Sequence, residues 1–311
     1  MKLFVIGNGF DITHGIPCKF SDFYMYLKRF RYDVLDYMEK YYDIEENSKL
    51  WSDFENALES NIVYDSLKEI INDYPPNLTS NHCDWFEAET YVEQECQELL
   101  DYIRIGFEEW INFLEISSVD KKFTLDSNDL FMTFNYTETL ENVYGIAEKN
   151  ILHIHNKVGG KLIFGHGKET EKFNVKSALY GNENIFEMVD EYGNVESSEV
   201  GHEKFAEIEV IKFYNKMRKP TEEVIDDNQL FFSNISEIKE VIVWGLSYSD
   251  IDFPYIKKIS KSINNNIKWT LSYFSESDRD QAINTMQRLG ISESLYLPKH
   301  FVALEKELKY N

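Results

Sequence analysis

Small polar residues and glycines follow a short apolar run near the amino end of the chain. The run Leu3–Ile6 leads directly into Gly7-Asn8-Gly9-Phe10-Asp11. Two glycines at this spacing let a backbone turn sharply behind a strand and approach a phosphate or ribose closely. The third glycine of the dinucleotide-binding pattern is replaced by Ile12, and Gly15-Ile16-Pro17 follows instead. The segment predicts a nucleotide-binding turn, with a plain tight turn as the alternative.

Amide, hydroxyl and imidazole groups occur at the ends of two later apolar runs. Thr133 and Asn135 end the run Leu130–Thr133, and His155 ends the run Ile151–Ile154. Asn135 can hold a sugar hydroxyl or a water, and a histidine can act as a general base near neutral pH. The alternatives are that Thr133 caps a helix, that Asn135 closes a turn and that one histidine is a hydrogen-bonded core residue.

A further group of polar residues follows the strongly apolar run Val241–Trp244. Gly245 and Ser247 can contact a ribose or a phosphate through the backbone and the hydroxyl group. Asp252 is a candidate either for ligand binding or for capping the next helix. Ser247 is not predicted to be a nucleophile, because the Gly-x-Ser-x-Gly pattern is absent.

A metal site is an alternative use of the acidic and imidazole side chains. Asp11, His155, His166 and Asp252 are residue types that bind Mg²⁺, Mn²⁺ or Zn²⁺ when a fold brings them together. Our leading interpretation involves no metal, and a metal-dependent nuclease or nucleotidase is kept as the alternative.

Six short apolar runs bounded by polar or turn residues are typical of buried strands. Several of them end in the motifs above, as expected where parallel strands bring their carboxyl ends to one edge of a sheet. We therefore predict an α/β fold with a Rossmann-like, mostly parallel sheet. The predicted strands are Leu3–Ile6, Leu130–Thr133, Ile151–Ile154, Leu162–Phe164, Val241–Trp244 and Ile267–Tyr273.

Amphipathic helices are predicted between the strands. Apolar residues at steps of three and four indicate one helix along Phe23–Tyr41 and another along Val92–Leu114. Near the end of the chain, Ser277 is predicted to cap a helix that Gly290 ends.

The first two predicted strands are about 120 residues apart, which is longer than an ordinary crossover connection. Residues 20–125 are therefore predicted to form a helical insertion, with a nucleotide-binding core in residues 1–19 and 126–311. Three roles are open for the insertion: it covers the site as a lid, it mediates self-association into a homo-oligomer, or it forms a solvated helical layer.

Charge and residue content exclude several classes of protein. The 55 acidic and 32 basic side chains give a formal charge of −23, which argues against binding a long nucleic acid but allows a small anionic ligand held by backbone N–H groups. Three cysteines are too few for a disulfide scaffold. The apolar runs are too short for a secretion signal or a membrane span, so we expect a cytoplasmic protein without a membrane partner.

These motifs together resemble the AbiH family, whose proteins are associated with bacteriophage abortive infection. The resemblance implies an antiphage role and a phage product as an unknown trigger. The matching segments are LFVIGNGFDITHGIP at 3–17, WSDFE at 51–55, FMTFNYTETLE at 131–141, ILHIHNKV at 151–158, IFGHG at 163–167 and VIVWGLSYSDIDFPY at 241–255.

The chain is also distantly similar to sirtuin-like NAD-binding domains. The resemblance implies NAD as the substrate, Asn135 and His155 as catalytic residues, and the loop at 7–17 as part of the NAD site. The zinc-binding CxxC pair of the deacylases is absent, which favours cleavage of NAD over protein deacylation. The similar segments are Gly7 to Pro17, Thr133-Phe134-Asn135, His155-Asn156 and Gly245-Leu246-Ser247.

The leading hypothesis is therefore an NAD glycohydrolase that binds NAD or a related nucleotide. The alternative from a different class is a nucleotide-sensing or assembly module without turnover. Contacts to the nucleotide are predicted at Gly7, Asn8, Gly9, Phe10, Asp11, Gly15, Thr133, His166, Gly245, Ser247 and Asp252.

Overall fold

The computed structural model describes residues 1–42, 54–58, 87–116, 118–167 and 209–310. Within these ranges six strands form one sheet in the order β3-β2-β1-β4-β5-β6, and every pairing between them is parallel. This confirms the predicted Rossmann-like α/β fold. The strands are β1 (Leu3–Ile6), β2 (Leu130–Thr133), β3 (Ile151–His153), β4 (Glu240–Trp244), β5 (Lys268–Tyr273) and β6 (Tyr296–His300).

Helices make up most of the remaining described chain. None of the helices in the described ranges is long and apolar enough to cross a bilayer. They are α1 (Asn8–Thr13), α2 (Phe20–Phe30), α3 (Tyr32–Glu39), α4 (Phe54–Ala57), α5 (Glu87–Phe113), α6 (Thr139–Asn142), α7 (209–216), α8 (Thr221–Asp227), α9 (Gln229–Asn234), α10 (Phe253–Ser262), α11 (Glu276–Arg288) and α12 (Phe301–Tyr310), with short 3₁₀ turns at Glu148–Asn150, Ile235–Glu237 and Glu293–Leu295.

The first strand lies in the middle of the sheet. Leu3 of β1 pairs with Leu130 of β2 on one side and with Val241 of β4 on the other. The chain builds β2 and β3 on one side of β1 and then β4, β5 and β6 on the other, so the direction of strand addition reverses between β1 and β4. Open parallel sheets bind ligands at the carboxyl ends of their strands, at such a reversal.

Alternate residues of the central strand enter two apolar cores on opposite faces of the sheet. Leu3 and Val5 belong to a core that includes residues of α8 to α11. Phe4 and Ile6 belong to a second core that includes residues of α1, α6 and α12. Because both faces are covered, β1 is a continuous apolar run rather than an alternating one.

The chain divides into two compact units. The first consists of Met1–Asp22, Glu108–Ile163 and Pro220–Asn311 and contains the sheet. The second consists of Phe23–Phe107 and Phe164–Lys219.

An aromatic cluster lies inside the second unit. The rings of Phe23, Phe54 and Phe107 pack with centroids 5.5 to 6.4 Å apart, and Phe164 lies 4.6 Å from Phe107. The predicted boundaries of the insertion at 20–125 stay a prediction. Residues 43–53 and 59–86 of it, with most of the WSDFE segment, lie outside the described residues.

Two strand predictions need correction. Leu162–Phe164 is irregular backbone, and the nearby His166 makes only an isolated bridge to Arg218. The sequence analysis missed β6, which carries Pro298 and charged residues and is only half-buried. Proline is tolerated in a strand at the edge of a sheet, which is where β6 lies.

Two helix predictions also need correction. The apolar stripe Phe23–Tyr41 belongs to two helices, because Arg31 has φ −138° and ψ 54° and separates α2 from α3. The cap of α11 is Ser275 rather than Ser277, and its side chain and that of Asp278 form a reciprocal capping box. The predicted end of that helix is confirmed, since Gly290 follows it with φ +70°.

Candidate active site

The turns after β1 and β4 contact each other through their backbones. Gly7 donates its N–H to the Trp244 carbonyl at 2.8 Å, and Gly9 donates to the Gly245 carbonyl at 3.0 Å. A Cβ atom on Gly7 would lie 2.4 Å from the Gly245 oxygen, and one on Gly9 would lie 2.7 Å from the Gly245 Cα. These two positions therefore require glycine for the packing of one turn on the other.

The same hydrogen bonds limit what the first turn offers a ligand. The N–H groups of Gly7 and Gly9 already have acceptors within the protein. Phe10 is fully buried and meets Trp244 edge-on at 5.0 Å, so its side chain is part of the core. Gly15 follows α1 with φ +79°, a conformation that favours glycine. Contact of this turn with phosphate stays a prediction.

A pocket of about 690 Å³ opens where strand addition reverses. Four of the residues predicted to contact a nucleotide line it: Asn8, Gly9, Gly245 and Ser247. The sequence analysis missed several other lining residues: Phe301 and Glu305 belong to α12, which it did not predict, and the rest lie outside the motifs that it singled out. The missed lining residues include Lys19, Ser272, Tyr273, Phe274, Asp278, Phe301 and Glu305.

Asp11, Asn135 and Thr137 form a buried polar group at the carboxyl ends of β1 and β2. Asp11 is 1% exposed, and its Oδ2 accepts a hydrogen bond from the Thr137 hydroxyl, which also lies 3.1 Å from the Thr139 hydroxyl. Burial raises the pKa of Asp11 to about 6, against the opposing effect of hydrogen bonds from Thr137, Thr139 and Asn135. Thr133 accepts the backbone N–H of Asn135 at 3.1 Å and so shapes this turn.

His155 and Asp252 form a buried pair after β3 and β4. His155 Nε2 lies 4.0 Å from Asp252 Oδ1, a distance for electrostatic interaction rather than a direct hydrogen bond. Asp252 occupies the N-cap position of α10, and its side chain makes no capping bond but accepts the Ser249 hydroxyl at 3.1 Å. A carboxylate at this distance can stabilise the imidazolium that forms when a histidine accepts a proton during a reaction.

Aromatic rings enclose His155. Phe134 and Tyr255 meet the imidazole edge-on at centroid distances of 5.4 and 5.9 Å, and Tyr136 stacks on it at 5.9 Å. Phe134 directly precedes Asn135, so the segments after β2 and β3 are packed together. The structure therefore brings the two residues predicted to be catalytic into neighbouring segments.

The other histidine of this region, His153, supports the backbone of Asn135. Its Nδ1 lies 3.2 Å from the Asn135 carbonyl oxygen, and its Nε2 lies 2.9 Å from Glu141 Oε1. Lys157 Nζ lies 3.3 Å from the same carboxylate. The hydrogen bond from His153 and the charges of His153 and Lys157 hold the pKa of Glu141 below its usual value despite burial. Glu141 and Lys157 lie in the segments 131–141 and 151–158 but were not identified as site residues, because their role depends on their distance to His153 in the fold.

His166 lies outside the unit that contains the other candidate metal ligands. It belongs to the second unit, is fully buried and has its Nε2 2.9 Å from the Tyr214 carbonyl oxygen. Asp11, His155 and Asp252, the other candidate metal ligands, belong to the first unit. Within the described ranges, no group of three or more His, Cys, Asp or Glu side chains has the geometry to hold a metal ion.

Comparison with known proteins identifies the family. No curated protein and no solved structure matches the chain. A family model described as bacteriophage abortive infection AbiH matches residues 3–273. This span includes the turns after β1 and β4, the side of the pocket formed by β4 and β5, and the side chains that contact Asn135 and His155. The match supports an antiphage abortive-infection role, and the chain belongs to the AbiH family.

Proposed function

We propose that this AbiH protein is an NAD glycohydrolase, which cleaves the bond between nicotinamide and ribose. One observation carries the proposal: a parallel sheet has a pocket at its reversal point, lined by the turns after β1 and β4, and bears an amide, an imidazole and buried carboxylates at its strand ends. Asn135, His155, Asp11 and Asp252 do not themselves line that pocket. The strand order 3-2-1-4-5-6 is that of dinucleotide-binding folds, in which the two halves of the ligand lie on either side of the reversal.

The reacting half of NAD is assigned to the side formed by β2 and β3. Asn135 orients the nicotinamide ribose or the attacking water through its amide group. His155 accepts a proton from that water as the water oxygen bonds to C1′ of the ribose. The bond between C1′ and the nicotinamide nitrogen breaks, and its electron pair neutralises the positive charge of the pyridinium. The products are nicotinamide, ADP-ribose and one proton.

Asp252 and Asp11 have supporting roles in this proposal. The Asp252 carboxylate, 4.0 Å from His155 Nε2, stabilises the imidazolium that forms when the proton is accepted. Asp11, which also accepts the Thr137 hydroxyl, holds the Asn135 side chain at the end of β2 through a side-chain hydrogen bond. Both carboxylates are buried, which strengthens their interaction with a developing positive charge.

The proposal is tested by incubating the purified protein with NAD and measuring free nicotinamide by chromatography. His155→Ala is expected to lower turnover by about 10²–10⁴-fold, the contribution of a general base, while ADP-ribose binding is retained. Asp252→Asn is expected to lower turnover as well. Asp250→Asn is the matched control, because Asp250 is an exposed carboxylate two positions away that pairs with Arg288.

Three outcomes contradict the proposal. The first is that protein purified from uninfected cells and protein purified from phage-infected cells both fail to release nicotinamide. The second is that NAD binds but no product forms on long incubation, which would identify a sensing module. The third is that the protein cleaves a nucleic acid or nucleotide and a chelator abolishes this cleavage, which would identify a metal-dependent enzyme.

A further inference from the structure

The pocket at the reversal point has an aromatic wall. Phe274, directly after β5, and Phe301, at the start of α12, both line it, and their rings pack at a centroid distance of 4.9 Å and an angle of 33°. Phe274 is nevertheless 71% exposed. A ring that is supported on one side by another ring and open on the other offers a flat apolar surface to a planar ligand.

Two carboxylates, Glu305 and Asp278, and one cation, Lys19, also line the pocket. Glu305 Oε1 lies 3.0 Å from the Thr13 hydroxyl, and the Asp278 side chain accepts the backbone N–H of Ser275 at 2.9 Å. Carboxylate oxygens accept hydrogen bonds from sugar hydroxyls, and they repel phosphate groups. A planar base with an unmodified ribose therefore fits this part of the pocket better than a phosphate does.

We propose that this pocket binds the adenosine half of NAD, with adenine stacked on Phe274 and the ribose hydroxyls facing Glu305. This inference rests on the proposed function, because the reacting half of the dinucleotide is assigned to the side of Asn135 and His155. Adenine then lies over β4 to β6, on the other side of the reversal. The inference also sets a specificity: NADP, which carries a phosphate on the 2′-oxygen of this ribose, binds more weakly than NAD.

The first test measures binding of AMP to the full chain by isothermal titration calorimetry. Phe274→Ala is expected to weaken AMP binding by roughly tenfold, the usual effect of losing one aromatic stacking partner. Phe274→Trp is expected to retain binding, which separates stacking from a general effect on folding. Leu230→Ala is the control, because Leu230 is an apolar side chain that is 77% exposed and does not line the pocket.

The second test uses turnover of two substrates. Phe274→Ala is expected to raise KM for NAD by roughly tenfold with kcat unchanged. Nicotinamide mononucleotide lacks the adenosine half, so its cleavage should be the same in the wild type and in Phe274→Ala. The wild type should bind NADP at least about tenfold more weakly than NAD, and Glu305→Gln should narrow that gap because it removes the repelling charge.

The outcomes separate this inference from the proposed function. If the wild type releases no nicotinamide but Phe274→Ala weakens AMP binding, the glycohydrolase proposal fails and the adenosine pocket stands. If the wild type cleaves NAD but Phe274→Ala changes neither AMP affinity nor KM, the pocket assignment is wrong and the glycohydrolase proposal stands. Equal affinity of the wild type for NAD and NADP would overturn the role of Glu305.

Discussion

Gly9 and Gly245 contact each other backbone to backbone, although they lie far apart in the sequence. The Gly9 N–H donates to the Gly245 carbonyl oxygen at 3.0 Å, and a Cβ on Gly245 would lie 2.7 Å from the Gly9 Cα. The N–H of Gly245 is in turn accepted by the Ser272 hydroxyl at 2.8 Å. The turns after β1 and β4 and the end of β5 are therefore joined, and one side of the pocket has a fixed backbone.

Gly9→Ala should destabilise the protein, because the added methyl group would overlap the Gly245 backbone, which cannot rotate away as a side chain can. We expect a loss of about 1–3 kcal/mol in the free energy of unfolding, measured by urea titration. Gly160→Ala is the milder comparison, since its Cβ would make a tight contact of 3.3 Å with the Lys157 carbonyl oxygen instead of overlapping the backbone. Equal stability of Gly9→Ala and the wild type would show that the two turns can separate.

Asp11→Asn should stabilise the protein at neutral pH. Burial raises the pKa of Asp11 to about 6, so the native state binds this proton more tightly than the unfolded chain does. Native stability therefore falls as the pH rises from below 4 to above 6, and ionised Asp11 costs about 3 kcal/mol at pH 8. Asn at this position carries no such cost.

Urea titrations at pH 5.5 and pH 8 check this expectation. Between pH 5.5 and pH 8 the free energy of unfolding should fall by about 1 kcal/mol more in the wild type than in Asp11→Asn, because part of the ionisation of Asp11 occurs between these pH values. Asp250→Asn, at an exposed carboxylate, is the control, and its free energy of unfolding should change with pH as that of the wild type does. A gap between wild type and Asp11→Asn that does not change with pH would mean that Asp11 is ionised throughout.

Glu141→Ala should affect both stability and the geometry at Asn135. The substitution removes the acceptor of His153, whose other ring nitrogen lies against the Asn135 carbonyl oxygen. We expect a loss of about 1–3 kcal/mol in the free energy of unfolding, and a lower kcat with NAD that Glu141→Gln largely restores. Glu138→Ala, which removes only a more exposed partner of Lys157, should cost at most about 1 kcal/mol.

Ser275→Ala should destabilise α11, whereas Ser277→Ala should not. Ser275 accepts the Asp278 N–H in a capping box, and loss of such a cap typically costs about 1 kcal/mol. Ser277 is exposed and lies inside the first turn of the helix. Thermal unfolding of the two variants compares them directly, and a larger loss in Ser277→Ala would contradict the observed cap.

Strands buried on both faces could be predicted from the sequence because they are continuous apolar runs. The observed β2 has the predicted bounds, Leu130–Thr133, and β1 matches as well. The edge strand β6 could not be found in this way, since it is half exposed and contains Pro298. Leu162–Phe164 shows the opposite case: an apolar segment is buried without being a strand, so burial alone does not identify one.

Residues of the candidate site could be predicted where they belong to a turn directly after such a strand. Asn135 and His155 follow β2 and β3, and Gly245 follows β4. The pocket wall formed by Phe274 and Phe301 could not be predicted, because it depends on the position of β6 and α12. Glu141 was missed for a related reason: its role depends on the distance to His153, which no local pattern specifies.

The central position of β1 affects when the sheet can assemble during translation. Its neighbours in the sheet are contributed by Leu130–Thr133 and Glu240–Trp244, so this early strand lacks its second partner until most of the chain has been translated. Contacts between such distant segments form slowly during folding. A nascent chain therefore cannot complete the pocket at the reversal point until β4 has inserted beside β1 and the lining residues of α12 have also left the ribosome.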